Sequence, residues 1–193
     1  MSVAVNTQNF SGSRYRIGMW VALASMAMLF TSLSSAYVVR SGTANDWSPI
    51  PAPRILFVST ALLLISSVTI EMARRRLKQA SQSGYSRYLL FTALIGAGFL
   101  ASQLLAWSQL AAQGIYLSSH PHSSFFYLLT GAHLMHLAGG LVALIFLWLG
   151  SQRKIEEPIG VVKRQASADA LTIYWHFMDA LWIYLFLLLF LWR

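Results

Sequence analysis

Residues 174–192 read Tyr174-Trp-His-Phe-Met-Asp-Ala-Leu-Trp-Ile-Tyr-Leu-Phe-Leu-Leu-Leu-Phe-Leu-Trp192. A segment this long and this apolar crosses a bilayer as a helix, because about 20 residues at 1.5 Å rise span the hydrocarbon core. Yet it carries His176 and Asp179 within the span. Placing an Asp near a helix centre costs roughly 2.5–3.5 kcal/mol, so such a group faces protein, finds a partner and serves a purpose. One stretch thus sets both the solvent and the first residues to explain.

The rest of the chain agrees. Of 193 residues, 56% are hydrophobic and 10% charged, whereas a soluble domain carries roughly 25% charged residues. Five stretches are long enough to cross, at about 17–39, 53–73, 88–109, 124–149 and 171–192. The connecting loops are too short to fold alone. The sequence therefore predicts an all-α integral membrane protein: a five-transmembrane-helix bundle forming a single domain over 15–193, behind a polar N-terminal tail at 1–14.

The net charge of +8 is not a nucleic-acid signal, because the basic residues cluster at span ends. Arg14, Arg16, Arg74, Arg75, Arg76, Lys78, Arg87, Arg153, Lys154, Lys163 and Arg164 fall on one side; Arg40, Arg54 and Arg193 fall on the other. The positive-inside rule then puts the N-terminus in the cytoplasm and the C-terminus in the periplasm. The basic rim meets anionic head groups. The first apolar stretch is a full span, so no cleaved signal is expected. Without cysteine the chain has no disulfide, iron–sulfur ligation or thiolate copper site. No repeat of matching polar residues suggests a two-fold transporter.

Within the spans, the polar residues mark the candidate sites. Span 1 carries Ser25, Thr31, Ser32, Ser34 and Ser35, small residues that let helices approach. Pro49, Pro51 and Pro53 interrupt the next loop, so span 2 begins near Pro53. At its other end Glu71 reaches Arg74 and Arg75 at helical spacings of three and four, which reads as an interfacial ion pair or, alternatively, a proton-collecting carboxylate. Span 3 has a small-residue face at Ala93, Gly96, Ala97 and Gly98 and one amide, Gln103, read as a bridge between helices. His120 and His122 on the following loop are too few to define a metal site.

His133 and His136 share one face of span 4. His136 lies about 12 Å from the inner boundary of a ~30 Å core, and Asp179 lies at a similar depth on span 5. A polar cluster is therefore expected in which His133 or His136 meets the His176 and Asp179 face. Hydrogen bonding is the simplest reading of these histidines. A proton relay and bis-imidazole haem ligation are the alternatives. Trp175, Trp182 and Trp192 are read as packing and interfacial anchors, with Trp175 grouped with Glu71, Arg74 and Arg75 at the lipid or inner surface.

Three blocks carry a likeness to a known family: Tyr15–Phe30 with Gly18-Met19, Ser124-Phe-Phe-Tyr-Leu-Leu-Thr-Gly-Ala-His-Leu-Met-His-Leu-Ala-Gly-Gly140, and Tyr174-Trp-His-Phe-Met-Asp-Ala-Leu-Trp182. They resemble subunit III of the haem–copper respiratory oxidases, in the short five-helix form that lacks the first two helices of the seven-helix version. The resemblance implies a subunit of the bacterial inner membrane, part of a terminal oxidase that reduces oxygen and pumps protons, with aa3-type cytochrome c oxidase foremost. It implies no haem or copper in this chain, those residing in catalytic subunit I, with subunit II in the same complex. It also implies bound phospholipid and support of proton uptake, to which Glu71, Glu156, Glu157 and Asp169 are the acidic residues available at the inner surface. Met26 stands where many members carry a buried glutamate, Ala106 where the family has a second acidic position, and residues 1–14 lack the histidine-rich proton antenna of some relatives. The accessory subunit of a quinol oxidase or a nitric oxide reductase is the nearest alternative. A haem-binding membrane cytochrome and a small transporter are alternatives of another class.

Overall fold

The computed structural model describes residues 2–43, 47, 50, 53–152 and 158–191. Among these the chain forms five helices: α1 (Ser2–Thr43), α2 (Ile55–Lys78), α3 (Gln82–Ala112), α4 (Pro121–Ser151) and α5 (Pro158–Leu191). Each holds a segment long and apolar enough to span a membrane. The helices outrun the apolar stretches that predict them, because a nucleated helix propagates into polar flanks at little cost. The expected polar tail is accordingly helical from Ser2, and α5 begins at Pro158 rather than near residue 171. Proline suits that first position, where its missing N–H has no intrahelical partner to lose.

Helices α2, α3, α4 and α5 form a closed ring in that order, each packed on its two neighbours, and α1 lies outside it against α4 and α5. The buried residues explain the ring. On α2 they are Leu56, Ser59, Leu63, Ser66, Ile70 and Ala73, and on α3 they include Leu89, Thr92, Gly96, Phe99, Gln103, Ala106 and Leu110. Both follow a strict alternation of three and four, the 3.5-residue period of a left-handed bundle. Helix α1 buries a thinner seam, Leu23, Phe30 and Tyr37, at intervals of seven. Elsewhere the molecule is apolar outward: Met28 (75%), Met135 (74%) and Phe146 (69%) are exposed. Hydrocarbon, unlike water, imposes no penalty on such a surface.

Helices α2 and α3 are joined by a tight turn. Ser81 N–H donates to the Arg76 carbonyl and Ala80 N–H to the Leu77 carbonyl, the paired bonds of a Schellman cap. Ala80 sits in the left-handed region at φ 55°. The equivalent cap after α3 uses Gly114 at φ 77°. A side chain in that region costs roughly 1–2 kcal/mol, partly offset by the greater unfolded-state freedom of glycine. Ala80→Gly is expected to stabilise the protein by about 0.5–1 kcal/mol. An unchanged or lower unfolding midpoint in detergent would show that the turn carries no such strain.

Candidate functional site

The interior of the ring is held by hydroxyl groups of α2. Ser102 Oγ of α3 donates to Ser59 Oγ at 2.8 Å. Trp182 Nε1 of α5 donates to Thr60 Oγ1 at 3.1 Å. One or two turns further, Trp175 Nε1 donates to Ser66 Oγ at 3.0 Å, Ser67 Oγ lies 2.7 Å from His176 Nδ1, and the hydroxyls of Thr69 and Thr92 are 2.8 Å apart. Ser59 and Thr69 thus reach α3, while Thr60, Ser66 and Ser67 reach α5, with Ser59-Thr60 and Ser66-Ser67 seven residues apart. Sequence reasoning missed this ladder. Its signal was the heptad spacing of hydroxyls in an otherwise apolar span.

His176 and Asp179 do lie together, though loosely. His176 Nδ1 is 4.0 Å from Asp179 Oδ2, beyond hydrogen-bond reach. The Asp179 side chain is 6% exposed, whereas that of His176 is 43% exposed at the α2–α5 surface. Among the described residues no hydrogen bond reaches either carboxylate oxygen of Asp179 or either ring nitrogen of His133. No hydrogen bond among the described residues therefore joins His133 to Asp179, although the His133 ring does reach span 5 through Trp182.

The reason is packing. The fully buried His133 ring is held between Phe99 of α3, at 6.0 Å between centroids, and Trp182 of α5, at 5.3 Å. His136 turns towards α1: its ring meets Phe30 at 5.8 Å, and its Nδ1 is 2.7 Å from the Ala132 carbonyl. A carbonyl only accepts, so Nδ1 carries the proton. What does tie α4 to α5 here is Tyr174, whose hydroxyl donates to the His136 carbonyl at 2.6 Å. The histidines are distributed over three interfaces rather than gathered at one centre. Gln103 is also fully buried, and among the described residues neither atom of its amide has a hydrogen-bond partner.

Trp175 needs correction too. It is fully buried at the centre of the ring, not at the lipid or inner surface, because Gly96 of α3 and Gly140 of α4 leave room for its indole. A Cβ on Gly96 would lie 3.0 Å from the ring.

The expected ion pairs at the end of α2 are present. Glu71 accepts from Arg74 Nη1 at 3.3 Å and from Arg75 Nε at 3.1 Å. Arg74 also donates through Nε to Asp169 of α5 at 2.6 Å, extending the pair into a network between helices. Pairs this exposed contribute little stability, about 0–1 kcal/mol each. Glu156 and Glu157 lie outside the described residues. At the other end, the Ile50 N–H donates to His122 Nδ1 at 3.0 Å, and the His122 ring packs on Trp47 and Tyr37. His120 instead precedes α4, its backbone N–H donating to Ser123 Oγ. Among the described residues no three His, Cys, Asp or Glu side chains group as a metal site.

This is a multi-pass helical membrane protein whose packed helices are tied together by hydroxyl and indole groups. The family described as cytochrome c oxidase subunit III matches residues 6–193, a range that reaches all five helices. Over 174 residues the chain is 33% identical to the probable cytochrome c oxidase subunit 3 of Nocardia farcinica, covering 88% of this chain and 84% of the relative. It is also 28% identical to the cytochrome bo(3) ubiquinol oxidase subunit 3 of Pseudomonas putida over 94% of this chain and 87% of the relative, and 27% identical to the quinol oxidase subunit 3 of Bacillus subtilis over 93% and 87%. The chain belongs to the cytochrome c oxidase subunit III family, as a membrane subunit of a respiratory oxidase.

Proposed function

We propose that this chain is the third subunit of a bacterial cytochrome c oxidase of the aa3 type, seated in the inner membrane with its N-terminus cytoplasmic. The observation that carries the reading is the match of the family over residues 6–193. Haem and copper then belong to catalytic subunit I, and this chain, with subunit II, completes the assembly. Cytochrome c as donor is supported by the 33% identity to a probable cytochrome c oxidase subunit, against 28% and 27% for the two quinol oxidase subunits. The quinol oxidase relatives favour the second reading, a quinol donor.

Its work is mechanical and electrostatic. The apolar outer faces offer packing surface to subunit I and to phospholipid, and with the N-terminus cytoplasmic the carboxylates of the Glu71–Arg74–Asp169 network belong to the inner rim, where they gather protons for uptake by the complex. The purified oxidase is expected to turn over with reduced cytochrome c and not with a short-chain quinol. The reverse preference would assign it to the quinol branch. Glu71→Gln with Asp169→Asn is expected to shorten the active lifetime of the complex during turnover at least twofold while leaving subunit content unchanged. Identical inactivation kinetics in the variant would remove the proton-gathering role.

A further inference from the structure

The basic residues at the α2–α3 end of the molecule are not equivalent. Arg74 and Arg75 are paired with carboxylates, and Arg164 donates to the Gln82 side chain and the Gly150 carbonyl. Arg76 and Arg87 differ. Arg76 Nη1 reaches Gln79 Oε1 only at 3.5 Å and Arg87 Nε reaches the Ser83 carbonyl at 3.4 Å, both at the long limit of a hydrogen bond. Neither has a carboxylate partner among the described residues.

Both line one cavity of about 240 Å³, with Ser81, Gly84, Tyr88 and Phe91. The cavity depends on residue 84 having no side chain, since a Cβ there would lie 2.9 Å from Ser81 Oγ and 3.2 Å from the Arg76 stem. Ser81 precedes α3 without spending its side chain on a capping bond. Two guanidinium forks and a hydroxyl around one small space match the oxygens of a phosphate, which arginine binds in bidentate fashion. From this polar end an apolar strip runs along the same face of α3, through Phe91 (54% exposed) and Leu94 (60% exposed), four and seven residues after Arg87. An inorganic ion has no use for that strip; an acyl chain does.

We propose that the α2–α3 turn is a binding site for an anionic phospholipid, with Arg76, Arg87 and Ser81 holding the phosphate and Phe91 and Leu94 flanking the first acyl chain. The site is independent of which electron donor the oxidase uses.

The test takes the intact complex, delipidated in mild detergent and titrated with phosphatidylglycerol or phosphatidylcholine, with bound lipid counted by native mass spectrometry. Arg76→Gln with Arg87→Gln is compared with Lys78→Gln with Lys163→Gln, which removes the same charge outside the cavity. The arginine pair variant is expected to lose one phosphatidylglycerol per chain and to bind it at least about tenfold more weakly, while the lysine pair variant matches the wild type. Millimolar inorganic phosphate is expected to leave the bound lipid in place. Equal lipid retention by the two variants would overturn the site, and displacement by inorganic phosphate would overturn its assignment to a lipid.

Discussion

Trp175→Ala is expected to lower the unfolding free energy by about 3–5 kcal/mol, the range for truncating a fully buried aromatic side chain. Trp175 is the point where α5 meets three helices at once: its indole lies against Gly96 of α3 and Gly140 of α4, and its Nε1 donates to Ser66 of α2. Packing outweighs the hydrogen bond, because bonds between membrane helices average roughly 0.6 kcal/mol. Trp175→Phe should therefore cost much less, about 1–2 kcal/mol, and Ser66→Ala less again. Thermal unfolding in detergent, followed by the yield of assembled complex, checks the order. Equal losses for Trp175→Phe and Trp175→Ala would mean that the bond, not the packing, holds the ring closed.

The second large effect is expected at Gly140. A Cβ there would stand 2.6 Å from Cε1 of Tyr174, closer than real contacts allow. Gly140→Leu must then displace the Tyr174 ring, separate α4 from α5 and break the bond from the Tyr174 hydroxyl to the His136 carbonyl. Overpacking of this kind costs about 1–3 kcal/mol, and the backbone has little freedom to absorb it. The neighbouring Gly139 provides the control, since a Cβ there meets nothing within 4 Å. Gly139→Leu is expected to change stability by no more than about 0.5 kcal/mol. Comparable damage from both substitutions would show that the α4–α5 approach at Gly140 is not a tight constraint.

These two positions also show what a sequence can and cannot convey about such a molecule. The spans, their number and the Glu71 pairs with Arg74 and Arg75 are legible because length, hydropathy and helical spacing determine them locally. The ring is harder to see. In a soluble bundle the buried seam stands out as apolar against polar; here Phe146 and Met135 face outward while Ser59, Ser66, Thr92 and Gln103 face inward, so hydropathy conceals the heptad. On α2 every second seam position is instead small, Ser59, Ser66 and Ala73. The histidine cluster was expected from equal depth, but depth says nothing of rotation about the helix axis. Three residues separate His133 from His136, a turn of about 60° short of a full circle, and that suffices to send one ring to Trp182 and the other to Phe30. Trp175 was misplaced for a similar reason, since an interfacial tryptophan and a central one look alike unless the facing glycines are known.

The most direct measurement on the central claim is a mild-detergent purification of the tagged chain from its native membrane, read by optical spectrum and mass spectrometry together. The account predicts that a haem–copper catalytic subunit co-purifies, and that no haem follows this chain once the two are separated. A haem Soret band on the isolated chain, or a preparation with no oxidase partner, would contradict it.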